Sequence, residues 1–259
     1  MSPTDSLISS PLDRVEHIMG MPIGIDVRDP DVDPASLDRA FDWFRRVDAT
    51  FSTYKPDSQI SRLNRRKLTL EEADADVREI LERCERLRLE TDGYFDARVR
   101  LLPGVVDPSG LVKGWSVDRA AAILEDSGAR DYCINAGGDV RVRGNALPDT
   151  SWRIGIQHPL LRYEVAAVVV ADDLAIATSG TYARGNHIVD PHTGFAPTGV
   201  LSVTIVGPDL GTADAYATAA FAMGRNGPAW PARLVGGYEA MTILDDETVL
   251  STPGFPAGT

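Results

Sequence analysis

The chain is short of several features that would point to a function class at once. It has two cysteines in 259 residues, Cys84 and Cys133, far apart and in no C-x-x-C pair, which excludes a disulfide scaffold or a metal or redox motif built on paired thiols. Cys84 falls at an apolar position of a predicted helix and Cys133 in a predicted strand, so both read as reduced and structural. Basic residues are scarce as well: 26 Lys and Arg against 38 Asp and Glu leave a net charge of −12. With no basic run longer than a few residues, the charge balance argues against nucleic acid and anionic membrane surfaces as partners. No apolar stretch approaches the length of a membrane span, which argues against stable membrane insertion. The start, "MSPTDSLISSPLDRVEHIMG", lacks a basic segment followed by an apolar one, and no lipoprotein signal is present, so a cytoplasmic protein is expected. Neither G-x-x-x-x-G-K-[ST] nor a strand-borne G-x-G-x-x-G occurs, which sets aside P-loop and Rossmann enzymes.

What is present is an ordinary globular composition, 43% hydrophobic and 25% charged, in a chain long enough for a large core. The expectation is a single domain over residues 16–250, with 1–15 and 251–259 frayed. Asp33 and Pro34 open a helix carrying Leu37, Phe41, Phe44 and Val47 at helical spacing. "FSTYKPDSQISRLNRR" reads as a polar loop, and a second helix runs from about Ala75 to Leu89. "VVDPSGLVKGWSVDRAAAILEDSGA" reads as a glycine-containing loop entering a helix that Gly128 ends. "DYCINAGGDVRVRG" is strand, glycine pair, strand, the pair marking a bulge or a close backbone approach. "WRIGIQHP", "VAAVVVADD", "LAIATSG", "LSVTIVG" and "EAMTILDD" supply further strands. Strands in hairpin-like succession with interspersed helices predict an α+β fold rather than a doubly wound parallel sheet.

One stretch poses a chemical question. "GTADAYATAAFAMG", residues 211–224, is an alanine-rich predicted helix that keeps one carboxylate and one hydroxyl, Asp214 and Thr218, at i,i+4 and so on one face. Either Asp214 is a first-turn acid favoured by the helix dipole, with Thr218 bonding back to a carbonyl, or the two oxygens serve a hard cation such as Mg²⁺. The second reading needs oxygens from another region. Three glycine-bearing segments could approach a ligand: "DPSGLVKG", "NAGGD" and "ATSGTYARGNHIVDPHTG". Singly, each is an ordinary turn.

Together they are more specific. "MGMPIGIDV", "FSTYKPDSQISRLN", "DGYFDARV", "VVDPSGLVKGWSVDRA", "INAGGDVRVRG", "IATSG", "HIVDPHTG" and "TADAYATAAFAMG" occur in an order that resembles the FAD:protein FMN transferases, the ApbE-type flavin transferases, from about Met19 to Leu244. The resemblance implies an ApbE-like mixed fold, largely antiparallel sheets with packed helices. It implies a Mg²⁺-dependent transferase that takes FAD as substrate, joins its FMN half to a Ser or Thr of a target flavoprotein and releases AMP. Asp214, Thr218 and the backbone carbonyl of Gly110 would be metal ligands. Met19, Tyr54, Tyr94, Phe95, Asp96, Asp107, Lys113 and Ile188 would contact FAD.

The residue types suit those roles: Tyr54 offers a ring or a hydroxyl, Asp96 and Asp107 accept from adenine, ribose or ribityl donors, and Lys113 offsets phosphate charge. Local readings stand beside them, with Tyr54 and Tyr94 as half-buried aromatics, Asp107 as a turn former and Lys113 as a surface lysine. His187 in "GNHIVDPHTG" is a candidate catalytic base for the acceptor hydroxyl, an orienting group, or a structural histidine. His192 is expected to be exposed. Between "TSG" and "HIVDP" the chain has only "TYARGN", shorter than in many relatives, which bears on how an acceptor docks. An FAD pyrophosphatase giving FMN and AMP, and a non-catalytic FAD-binding protein, are the alternatives. The acceptor protein itself is not legible.

Overall fold

The computed structural model describes residues 12–99, 102–180, 188–230, 234 and 236–258. The chain opens with a hairpin of β1 (Leu12–Ile18) and β2 (Met21–Val27), whose two turn residues, Met19 at φ 54 and Gly20 at φ 74, both take the left-handed conformation that matches strand twist. Then come α1 (Ala35–Phe51), α2 (Gln59–Asn64), α3 (Ala75–Glu90) and α4 (Ser109–Asp126). β3 (Tyr132–Ala136), β4 (Asp139–Arg143), β5 (Asn145–Leu147), β6 (Thr150–Gln157), β7 (Val165–Ala171), β8 (Asp173–Gly180) and β9 (Val200–Gly207) follow. The helix α5 (Leu210–Ala222), a short 3-10 turn (Gly224–Ala229), β10 (Glu239–Leu244) and β11 (Val249–Ser251) complete it.

Eight strands form one sheet in the order β1-β2-β3-β4-β8-β9-β10-β11, and β5-β6-β7 form a second. Their pairings are antiparallel, as expected for the α+β fold. One face of the large sheet carries the helices. Ile23, Ile25 and Val27 of β2, with Ile134 of β3, pack there against Phe41 and Phe44 of α1, Leu124 of α4 and Leu210 of α5. On the other face Val140 and Val142 of β4 meet Trp152, Ile156 and Val169 of the small sheet. Alternation along β4 thus points its valines at the small sheet and leaves Asp139 and Arg141 on the opposite face.

The two ends differ from expectation. Leu12, Asp13, Arg14 and Val15 lie within the segment expected to fray, yet they pair with β2. Beyond residue 250, Ser251 pairs with Met241, Thr252 N donates to Ala240 O at 2.9 Å and Gly258 N to Val168 O at 2.7 Å. Ladder hydrogen bonds override local composition in both places. The loop "FSTYKPDSQISRLNRR" also contains a helix, α2, capped by Ser58, whose hydroxyl accepts from Ser61 N at 3.0 Å. Asn64 at its end clasps the approach to α4, donating to Val106 O and accepting from Val106 N, both at 2.8 Å.

Two glycines set how α4 and α5 meet. A Cβ at Gly114 would stand 2.3 Å from Leu210 O, and one at Gly211 would stand 3.2 Å from Trp115 N, so the helices touch backbone to backbone. The Asp118 carboxylate fixes the crossing by accepting from Leu210 N at 2.9 Å and Gly211 N at 2.8 Å.

Candidate functional site

Asp214 is not a cap. α5 begins at Leu210, its N-terminal side-chain acceptor is Asp209, which takes Thr212 N at 2.8 Å, and Asp214 lies in the second turn, 4% exposed. The first-turn reading of Asp214 thus fails because the helix starts earlier than its alanines suggest, with Asp209 as the capping acid.

The crossing brings a set of polar groups together. Gly114 N of α4 donates to Asp214 Oδ2 at 3.3 Å. One turn of α4 leads into this contact from Gly110, and a Cβ at Gly110 would stand 3.2 Å from Phe95 Cε2 and 3.7 Å from the Thr218 hydroxyl. Lys113, on the same turn, places Nζ 2.5 Å from Asp139 Oδ2 and 3.4 Å from Asp214 Oδ1. Asp139 starts β4 directly after the Gly137–Gly138 turn, is 2% exposed, and accepts from Thr178 N of β8 at 3.1 Å through its other oxygen. Burial pushes the Asp214 carboxyl well above the usual carboxylate range; the Lys113 ammonium opposes that shift and the Asp139 charge adds to it.

Of the residues singled out in the sequence, the structure therefore gathers Gly110, Lys113, Asp214, Thr218 and Phe95. Tyr94 joins from the side: its ring meets that of His192 edge-on at 4.5 Å between centroids, which docks "TDGYFD" against "DPHTG". His192 is exposed, as expected, and its backbone N donates to Asp190 Oδ1 at 2.8 Å. Met19 and Ile188 are partly buried against the helical core. Asp96 is tied to Arg98, 2.6 Å away; burial works to raise its carboxyl, and the Arg98 hydrogen bonds outweigh it and hold the carboxyl low. Asp107 accepts from Ser109 N at 3.1 Å at the entry to α4, the turn-forming role weighed above. Tyr54 is 96% exposed, and no contact joins its ring to the Lys113 group among the described residues. His187 lies outside the described residues.

Asp139 went unnoticed in the sequence. The signal was there, a single acid following a glycine pair in "NAGGD", but its partner Lys113 sits on a different element and no local pattern links them. A cavity of about 250 Å³ lies across α5, lined by Arg83, Arg86, Leu87, Glu90, Thr212, Tyr216 and Tyr238, away from Lys113 and Asp214.

The donor set fits Mg²⁺. Its side-chain members are a buried carboxylate with only long contacts and a hydroxyl, hard oxygens of low total charge beside the Gly110 backbone, as suits an ion that takes oxygen ligands and keeps some waters. Among the described residues no three His, Cys, Asp or Glu side chains form a metal-binding group, so a zinc-type site has no support there.

Comparison with known proteins settles the kinship. The sequence profile of the ApbE family matches residues 19–107 and 102–242. The chain belongs to the ApbE family. The FAD:protein FMN transferase of Haemophilus influenzae is 28% identical over 242 residues, covering 70% of this chain and 70% of that protein. The FAD:protein FMN transferase of Vibrio cholerae is 37% identical over 129 residues, 46% of this chain and 39% of that protein. Among solved structures, the ApbE protein of Thermotoga maritima superposes with a TM-score of 0.84 at 25% identity, over 94% of this chain and 97% of that one. The flavin transferase ApbE of Vibrio cholerae gives 0.80 at 24%, over 96% and 97%. The mixed, largely antiparallel architecture is thus the family's fold.

Proposed function

We propose that this chain is an FAD:protein FMN transferase that uses Mg²⁺. The acceptor is a Ser or Thr of a flavoprotein. Family membership and relatives bearing that name support the reaction class. The observation that carries the site is the convergence of Lys113, Asp214, Thr218 and Gly110 where α4 crosses α5.

In this reading Asp214, Thr218 and the Gly110 carbonyl would hold Mg²⁺, which when bound would supply positive charge against the FAD diphosphate. Lys113 adds a second positive charge beside the phosphates, and Phe95, Tyr94, Met19 and Ile188 bound the flavin nucleotide, with Asp96, Asp107 and Tyr54 at its polar rim. The acceptor hydroxyl oxygen bonds to the phosphorus of the FMN half, the diphosphate P–O bond breaks, and AMP leaves with the electron pair. His187 takes the hydroxyl proton. Positioning and charge neutralisation supply most of the acceleration. A cytoplasmic setting belongs to the same proposal; the free thiols Cys84 and Cys133 are consistent with it. Among the described residues, no helix is long and apolar enough to cross a membrane.

The test is incubation with FAD, Mg²⁺ and candidate flavoproteins, followed by mass spectrometry of the acceptor and quantification of AMP. The expected result is covalent FMN and AMP in equal amounts, with slow turnover when the acceptor is left out. Equal AMP release with and without acceptor, with free FMN, makes the protein an FAD pyrophosphatase. Stoichiometric FAD binding with no AMP in any mixture makes it a non-catalytic binder.

A further inference from the structure

Lys113 lies unequally between two buried acids. Its Nζ is 2.5 Å from Asp139 Oδ2 and 3.4 Å from Asp214 Oδ1. Coulomb attraction falls with distance, so the nearer carboxylate holds the ammonium more strongly. The two acids also differ in footing. Asp139 is fixed at the start of a central strand by the Thr178 N–H, whereas Lys113 reaches it on a flexible four-carbon stem. A fully buried carboxylate at the end of a tight hairpin is costly unless it is paired, and the pairing here aims the lysine.

We propose that Asp139 is a positioning residue for Lys113: it draws the ammonium off Asp214, leaving the Asp214 carboxylate open to a divalent cation while the lysine stays beside the same site. The inference rests on the reading of Asp214 as a metal ligand. Without the Asp139 charge, the lysine closes on Asp214 and competes with the ion for its oxygens.

A double-mutant cycle read by Mn²⁺ binding tests this, with free Mn²⁺ followed by electron paramagnetic resonance in the absence of FAD. The proteins are the parent, Asp139→Asn, Lys113→Met, the double variant and Asp214→Asn. Asparagine keeps an oxygen to accept from Thr178 N–H while losing the charge. The expected result is a loss of about tenfold or more in Mn²⁺ affinity for Asp139→Asn, in the range typical of groups that support a ligand, and a change below about twofold when the same substitution is made in the Lys113→Met background. Equal losses in both backgrounds would mean that Asp139 acts only as a distant charge and would overturn the proposal, as would an unchanged Asp139→Asn. If Asp139→Asn does not fold, Lys113→Arg carries the test: a planar fork with five donors spans both carboxylates at unchanged charge, so Mn²⁺ affinity falls at least about fivefold, and unchanged affinity overturns the proposal. A parent that binds Mn²⁺ no better than Asp214→Asn removes the metal reading and this proposal together. A parent that binds through Asp214 but gives an additive cycle removes the Asp139 role alone.

Discussion

Asp209, which caps α5, and Asp214, within it, stand five residues apart, and their surroundings treat them in opposite ways. Asp209 receives Thr212 N at 2.8 Å, Arg83 Nη2 at 2.6 Å and the Tyr238 hydroxyl, and Arg83 also reaches Thr212 Oγ1 at 2.7 Å. Burial works to raise its carboxyl, and these partners outweigh burial and hold it below the usual range. Asp214 is more deeply buried and has only a 3.3 Å amide and a lysine that another acid holds more closely. Its carboxyl is pushed up. An acid whose lone pairs are filled by short, charge-assisted bonds fastens the start of a helix. An acid buried more deeply still, with its oxygens underused, is one that gains by meeting a cation, as the proposed function requires.

Substitution separates the two most sharply. Asp214→Asn is expected to lower Mg²⁺ or Mn²⁺ affinity by about 100-fold or more and leave the melting temperature level or higher, whereas Asp209→Asn leaves ion affinity within about threefold. Calorimetric titration alongside thermal melts measures both, and parent-like ion binding by Asp214→Asn would erase the distinction. Next in size, Lys113→Ala is expected to weaken FAD about tenfold and riboflavin less than about twofold, because the proposed partner of the lysine is a diphosphate that riboflavin lacks. Equal losses would move Lys113 away from the diphosphate.

The pH dependence of stability without added metal should have opposite signs for the two acids. Asp214 has a raised carboxyl, so its contribution is complete below the ordinary value near 3.8 and is lost as pH rises through its folded value. Asp209 has a lowered one, so its contribution is present above the ordinary value near 3.8 and is lost as pH falls through its folded value. In urea unfolding from about pH 3 to 8, Asp214→Asn therefore gains on the parent as pH rises, while the deficit of Asp209→Asn holds above about pH 4 and shrinks below it. Matching slopes for the two variants would contradict the comparison. The smallest effect belongs to Tyr238→Phe, which removes one bond to Asp209 and is expected to cost about 1 kcal/mol in unfolding free energy with no change in ion binding.

Much of this was legible in the chain itself. The i,i+4 spacing of the Asp214 and Thr218 oxygens and the strand and helix periodicities lie within one element each, where spacing carries information, whereas Lys113 was singled out only through the family resemblance. What escaped notice depended on distant partners: Arg83 meets Asp209 across 126 residues, and Asp139 meets Lys113 across the helix–sheet interface. β1 escaped for a different reason. An edge strand exposes one face, and with Val15 open to solvent its alternation is blurred by charged neighbours. α2 is only six residues long, too short to show a period. Tyr54 marks the opposite limit, a position drawn from the resemblance whose ring the fold leaves in solvent.

The glycine contact between α4 and α5 has a mechanical meaning. Helices separated by interlocking side chains can slide as rotamers change, but Gly114 against Leu210 O leaves nothing to rearrange. The two helices work as a single machined part, so the backbone from which Lys113 springs is held at a set distance from α5, and only the lysine's own stem decides where its ammonium rests. Altered ion preference at the proposed site is therefore expected from substitutions that border it, at positions such as 110 and 218, while a methyl at 114 would wedge the part open and misalign Lys113 and Asp214.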